Sequence, residues 1–168
     1  MMPEDREAVL AVVEATDMFT PAELFFAREQ VDIYLHQPQQ QDYFLVVVEN
    51  ESSKIVGFMS YGPTPLTEGT YDLYWMAVSR EEQGRGYGKE LVRWLEKKVK
   101  DAAGRMILIE TSSQPKYEST RRFYLGLDYQ EVSRIPDFYK PGDDRITYVK
   151  YFGSKESTEK WKKSGNSY

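Results

Sequence analysis

Apolar and polar positions change period several times along the chain, and each change marks an element. Val9, Val12, Val13 and then Thr16 recur at helical spacing, which predicts a first helix from about Glu4 to Ala15. The second helix carries its own start signal: Thr20 suits the N-cap, Pro21 the first helical position, and Glu23 is the return arm of a capping box. Its stripe of Leu24, Ala27, Val31, Tyr34 and Leu35 stops at Pro38. Two strand-like runs follow, Tyr43 to Glu49 and Lys54 to Tyr61, with Asn50-Glu51-Ser52-Ser53 between them as in a hairpin. A third run, Thr70 to Val78, comes after the loop from Pro63 to Gly69. Three strands without an intervening helix predict an antiparallel meander, which a purely parallel doubly wound sheet lacks.

Beyond a cluster of glycines, Gly88, Leu91, Val92, Leu95, Val99 and Ala102 form the apolar face of a third helix ending near Gly104. A strand from Met106 to Glu110 and a helix from Pro115 to Leu125, closed by Gly126, come next. Two last strands, Tyr129 to Ile135 and Arg145 to Phe152, flank a Pro141-Gly142 turn. The order is two helices, three strands, then helix, strand, helix and two strands, an α/β arrangement.

The 168 residues allow one domain, expected over residues 1–152, and a polar tail over 153–168. With only Trp161 and Tyr168 as large apolar groups, that tail is expected to lie outside the core and be mobile. There is no cysteine and a single histidine, His36, which reads as a solvated helix end. Disulfides, thiolate nucleophiles, histidine triads and most zinc sites are thereby excluded, and no metal is expected. No apolar run approaches the roughly 20 residues of a membrane-spanning helix, and the acidic start is unlike a signal peptide. A soluble, cytoplasmic protein without a membrane partner is expected. Acidic residues outnumber basic ones by 27 to 22, and the lysine-rich tail makes the rest of the chain more acidic still. That balance argues against nucleic acid as a partner and fits a cationic one such as an amine. A homodimer is the default assembly.

Gln83-Gly84-Arg85-Gly86-Tyr87-Gly88-Lys89 lies between a strand ending at Val78 and a helix beginning near Tyr87. Glycines there permit positive φ and close approach, so several amides can point at an anion, and a phosphate-bearing ligand is implied. A Walker A loop is excluded because Glu90 follows Lys89 and Gln83 stands where the first glycine belongs. A dinucleotide fingerprint counted from Gly84 would place its third glycine at Lys89, and fails too.

The segment does fit Gln/Arg-x-x-Gly-x-Gly/Ala through Gln83, Gly86 and Gly88, and so resembles the pyrophosphate loop of the GNAT superfamily of N-acetyltransferases. Arg122-Phe123-Tyr124-Leu125-Gly126-Leu127-Asp128-Tyr129 is similar to the family's later helix-glycine-strand element. The resemblance covers nearly the whole chain. It implies a single GNAT-like domain whose mixed, mostly antiparallel sheet splays between the fourth and fifth family strands, with helices on both faces. The chain opens where the first helix should begin, so the first family strand is expected to be absent or truncated.

Acetyl-coenzyme A is the implied acetyl donor, lying in the gap. Met76, Ala77 and Val78 would offer backbone groups to the pantetheine and the thioester carbonyl, where donors aimed at a developing oxyanion matter most. Gln83, Gly84, Arg85, Gly86, Tyr87, Gly88 and Lys89 would hold the pyrophosphate. Tyr124 matches the family's general acid and, with a reference pKa of about 10, can donate a proton to the departing thiolate; the alternative is packing beside Phe123. Glu110, at the end of its strand, resembles the base of the ribosomal-protein alanine acetyltransferases; the alternative is a helix cap or an arginine partner. Asp72 and Tyr74 are expected on one face of their strand and Trp75 on the other, with Asp72 and Tyr74 toward substrate. The segment from Ile135 to Asp144, which carries Tyr139, resembles the substrate-side segment of peptide-directed members; the alternative is a long hairpin and no more. Tyr117 stands where the family often has a coenzyme-binding asparagine, and Thr120 replaces a common alanine. The function implied is direct acetyl transfer to a primary amine on a peptide N-terminus, a lysine or a small molecule. The rival is a non-catalytic acyl-coenzyme A binding or sensing module.

Overall fold

The computed structural model describes residues 1–153. The predicted mobile tail lies, but for Gly153, outside the described residues. After a short 3-10 turn at Pro3–Asp5, α1 spans Arg6–Ala15 and α2 spans Pro21–His36. The capping box forms as its residues dictate: Glu23 N donates to Thr20 Oγ1 at 3.3 Å and Thr20 N to Glu23 Oε2 at 2.7 Å. His36 is exposed at the end of α2, its Nδ1 2.7 Å from Asp32 O. Strands β1 (Phe44–Glu49), β2 (Ile55–Pro63) and β3 (Thr70–Val78) form the expected antiparallel meander. Then come α3 (Tyr87–Asp101), β4 (Met106–Ser112), α4 (Glu118–Leu125), β5 (Gln130–Lys140) and β6 (Asp143–Tyr151). No strand precedes α1 among the described residues, and none of their helices is long and apolar enough to cross a membrane.

The six strands make one sheet in the order β1-β2-β3-β4-β6-β5. Only β3 and β4 run parallel, and they pair solely from Thr70↔Met106 to Leu73↔Ile109. Beyond that point β3 continues to Val78 beside β2, while β4 continues to Ser112 beside β6. The sheet is therefore splayed between the two, and the strand ends leave a gap.

A β-bulge marks where the splay begins. Tyr61 pairs with Leu73 but Ser60 pairs with Trp75, which leaves Tyr74 as the extra residue. Tyr71 and Leu73 pack on the α3 side before the bulge, Met76 and Val78 pack there after it, and Trp75 and Ala77 turn toward α1 and α2. Strict alternation, which sets Trp75 apart from Asp72 and Tyr74, is thus corrected: the bulge reverses the phase of everything after it. Of the two readings of the segment from Ile135 to Asp144, the structure has the long hairpin: β5 and β6 turn at Pro141-Gly142, with an irregularity around Asp137 (φ 53°). Asp137 N donates to Asp144 Oδ1 at 3.1 Å and Gly142 N to Asp137 Oδ1 at 2.6 Å, so side chains supply the pairing that the irregularity removes. Glu110 does not end its strand, which runs two residues farther.

Each face of the sheet carries a core. One gathers Leu91, Val92, Leu95 and Val99 of α3 over Ile107, Ile109, Ile146 and Tyr148, with Tyr124 and Tyr129. The other packs Val9, Leu10, Val12 and Val13 of α1 and Ala27 and Val31 of α2 over Leu45, Phe58 and Ala77. A polar tether crosses the first core. Glu96 of α3 is buried, and Lys150 of β6 donates from Nζ to Glu96 Oε1 at 2.9 Å and to Leu127 O at 2.7 Å. Lys150→Ala strands a buried carboxylate and is expected to cost about 3–5 kcal/mol of unfolding free energy, whereas a Glu96→Leu/Lys150→Met double variant should regain most of it. Denaturant titration of the two variants checks this, and equal losses in both would remove the tether from the account.

Candidate active site

The connection from β3 to α3 turns on two glycines in the left-handed region, Gly84 (φ 79°) and Gly86 (φ 98°), the second being the N-cap of α3. A Cβ built on either meets nothing within 4 Å, so backbone conformation selects glycine there and the space beside it is open. Gly88 is different. It lies inside the helix, and a Cβ there would make ordinary contact with Phe123 Cζ at 3.5 Å and Val78 Cγ2 at 3.8 Å. The expectation that positive φ fixes this glycine is corrected: its backbone is helical, and α3 passes Phe123 of α4 with room for a methyl group. The first helical hydrogen bond of α3 is Glu90 N to Gly86 O at 2.9 Å, which leaves the amides of Tyr87, Gly88 and Lys89 without intrahelical partners. The helix N-terminus presents these donors together with its positive dipole end, as an anion requires.

Gln83 ties this loop to the strand before it by donating Nε2 to Val78 O at 3.1 Å. The structure thus brings Met76, Ala77 and Val78, on the part of β3 that β4 no longer pairs, next to the segment from Gln83 to Lys89. Arg85 is exposed and pairs with Glu82 at 3.0 Å.

Tyr124 of α4 is buried among aromatic rings, with centroids 5.2 Å from Phe123, 5.9 Å from Tyr129 and 6.4 Å from Tyr148. Burial raises its pKa above the ordinary tyrosine range, so the hydroxyl keeps its proton. Phe123, beside it, reaches Gly88, so α4 abuts the start of α3. Glu110 lies elsewhere. Ile107 and Ile109 face the α3 core, and alternation turns Glu110 to the opposite side of the sheet, where its half-exposed carboxylate pairs with Arg145 Nε at 3.4 Å. Tyr139, expected at the substrate, is half-exposed near this pair; burial raises its pKa first and Glu110 second.

On the same side, Tyr117 donates to Met18 O at 3.3 Å and Lys116 to the same oxygen at 2.7 Å, closing the α1–α2 connection against the start of α4. Burial, with Glu23 and Asp143 adding to it, pushes Tyr117 up to about 12. Asp72 accepts from Thr64 Oγ1 at 2.7 Å, and Tyr74 is half-exposed, raised by burial and then by Asp72 and Asp42. A groove of about 360 Å³ lies here, lined by Phe26, Glu29, Gln30 and Ile33 of α2 with Tyr43 and Trp75. Sequence reasoning missed it and Arg145. Phe26, Glu29, Gln30 and Ile33 form a second stripe on α2 at helical spacing, beside the core stripe that was legible, and this was the available signal. Among the described residues, no group of His, Cys, Asp and Glu is arranged to hold a metal.

Residues 12–127 match the sequence profile of the acetyltransferase (GNAT) family. The fold superposes on a crystal structure described as a GNAT-family acetyltransferase of Desulfovibrio desulfuricans, at 40% identity over 89% of this chain and 94% of that one, with a TM-score of 0.84. An aminoglycoside 6'-N-acetyltransferase complexed with coenzyme A shares the fold at 18% identity and a TM-score of 0.70, over 91% of this chain and 93% of that one. The ribosomal-protein-S18-alanine N-acetyltransferase of Escherichia coli shares it at 16% identity and a TM-score of 0.70, over 92% and 94%. No curated protein sequence gives a significant match.

The two glycines of the loop separate by their backbones. Gly86→Ala is expected to cost about 1–2 kcal/mol through strain at positive φ. Gly88→Ala, with room for its methyl, should change stability by no more than about 0.5 kcal/mol. Unfolding in urea distinguishes them, and an equal loss at both positions would contradict this division.

Proposed function

The chain belongs to the acetyltransferase (GNAT) family, and on that premise we propose that it transfers an acetyl group directly from acetyl-coenzyme A to a primary amine. The observation that carries this reading is the juxtaposition of an unpaired β3 edge with an open, glycine-turned helix N-terminus. The amides of Tyr87, Gly88 and Lys89 suit a pyrophosphate, and Gly84 and Gly86 let it approach the backbone. From Met76 to Val78 the unpaired edge offers main-chain groups to the extended pantetheine, as an added strand would. Acetyl-coenzyme A supplies the thioester carbonyl that the amine attacks.

The chain's own residues then have separate tasks. Glu110, at the far side of the splay, takes the proton that the amine must lose, directly or through water. The amine nitrogen bonds to the acetyl carbon as the carbon-sulfur bond breaks. Tyr124, kept protonated by burial, gives its proton to the departing sulfur. Its neighbour Phe123 reaches Gly88 at the start of α3, which supports a role for Tyr124 on the coenzyme side. Asp72, Tyr74 and Tyr139, with the groove at Trp75, border the acceptor; the acidic neighbours Glu29 and Asp42 favour a cation there. Holding amine and thioester in line supplies a further share of the acceleration.

Tyr124→Phe keeps the ring and removes the acid. Affinity for acetyl-coenzyme A should persist while turnover falls on the order of tenfold to ten-thousandfold. Because burial raises the tyrosine pKa, the parent should show no loss of rate from this group as pH passes the ordinary tyrosine range near 10. Thiol release from acetyl-coenzyme A across an amine panel measures both, and equal turnover by the variant would reduce Tyr124 to packing. Calorimetry with Gly86→Val should show the coenzyme bound far more weakly than by the parent. Binding without turnover on any amine would instead support a non-catalytic acyl-coenzyme A module.

A further inference from the structure

Arg145, near the start of β6, stands beside Glu110, and its side-chain Nε makes no hydrogen bond among the described residues. Its Nε is buried without a partner, with Glu110 Oε1 the nearest acid oxygen at 3.4 Å, and its guanidinium lies over the Phe138 ring at 4.3 Å from the centroid. Arg6 and Arg121, by contrast, find hydrogen-bond partners within the fold. Arg6 forks onto Asp32 at 2.6 and 2.9 Å, and Arg121 Nη1 donates to Ser112 O at 2.8 Å and Gln114 O at 2.9 Å. The acids next to Arg145 in sequence are already engaged. Asp143 accepts from Ser112 Oγ at 2.5 Å and Gln114 Nε2 at 2.7 Å, while Asp144 accepts from Arg134 and from Asp137 N, each at 3.1 Å.

A planar fork of donors, held flat by an aromatic ring and lacking its own carboxylate fork, is the partner a carboxylate fits in two-pronged fashion. Glu110 stands within ion-pair distance of it, so the site presents a positive and a negative group side by side. An acceptor with the reverse arrangement, an amine and a carboxylate on the same carbon, matches both charges at once. We propose that the acetyl acceptor is an amine with a carboxylate on the carbon that bears the nitrogen, in the simplest case a free α-amino acid, with Arg145 gripping the carboxylate and Glu110 facing the amine. This rests on the reading of the site as an amine acetyltransferase. Arg145 is a binding residue in it and moves no proton; the bonds made and broken are those of the transfer described above. Tyr117, Phe138 and Tyr139 stand around the pair as aromatic surface for the rest of the acceptor.

Glycine, L-leucine and L-phenylalanine, each paired with its own primary amide, are titrated by calorimetry into the coenzyme A-loaded protein. The amide keeps the amine and side chain and removes the negative charge. At least one acid should bind about tenfold to a hundredfold tighter than its amide. Arg145→Gln should abolish that preference by weakening the acid alone, and Arg145→Lys should restore part of it. Equal affinity for acid and amide in every pair, no binding by any of them, or an equal loss for both in Arg145→Gln would overturn the proposal, the last result meaning that Arg145 only holds Glu110. The acid-amide comparison uses the parent protein, so it stands even if a variant fails to fold. Thiol release from acetyl-coenzyme A in the same samples separates the two readings. Transfer without acid-amide preference removes the carboxylate grip alone, and preference without transfer removes the transferase reading alone.

Discussion

Between Thr70↔Met106 and Leu73↔Ile109, β3 and β4 pair for four rungs and then part, and the arrangement of the rest of the sheet follows from this separation. A backbone edge deprived of its partner must find hydrogen bonds elsewhere, and in the middle of a sheet that is a strong constraint. The bulge at Tyr74 is the local device that accompanies it: one extra residue in β3 bends the strand away just where pairing with β4 stops. The same residue reverses the phase of the strand. Met76 and Val78 consequently reach the α3 core, while Trp75 faces the acceptor side and meets Phe19 at 5.2 Å.

Everything on the α3 side serves to fix one helix end. The apolar stripe of Leu91, Val92, Leu95 and Val99 presses α3 onto the sheet, and the Glu96–Lys150 pair sets its rotation and height against β6. At its N-terminus, Gly88 passes Phe123 and Gln83 anchors the loop to Val78. An anion site made of amides has no side chain to adjust, so its precision has to come from the helix being held rigidly. The aromatic cluster around Tyr124 belongs to that same rigid body, which explains how one tyrosine both packs and remains protonated.

The opposite side is assembled from parts that are far apart in sequence: the α1–α2 connection, the turn before α4, the end of β4 and the β5–β6 hairpin. Lys116 and Tyr117 join the first two through Met18 O, and the Arg145–Glu110 pair joins the last two. Acidic and aromatic groups predominate here, in Glu23, Glu29, Asp42, Phe26, Trp75 and Tyr139. Core packing does not demand this composition, since Phe25, Phe26, Phe138 and Tyr139 are largely exposed. The two sides of the splay therefore differ in kind, one presenting main-chain groups and the other side chains.

The sequence by itself determined the order and type of the elements, because helical and strand periodicity, the Thr20 capping box and the Pro141-Gly142 turn are local signals carried by neighbouring residues. It also marked the loop from Gln83 to Lys89, since alternate glycines between a strand and a helix are a local signal. The phase of β3 could not be read there. A bulge depends on how Ser60 and Tyr61 register against Leu73 and Trp75, a relation between two strands with no local mark. The hairpin beyond Ile135 was legible only as one of two readings, because Asp137 and Asp144 replace main-chain pairing with side-chain bonds that exist only once the arms face each other. Arg145 and the α2 groove were decided last and by tertiary structure alone. Whether an arginine is satisfied, or a helix stripe faces core or cleft, is fixed by what the fold brings opposite it, and neither residue type nor spacing contains that partner.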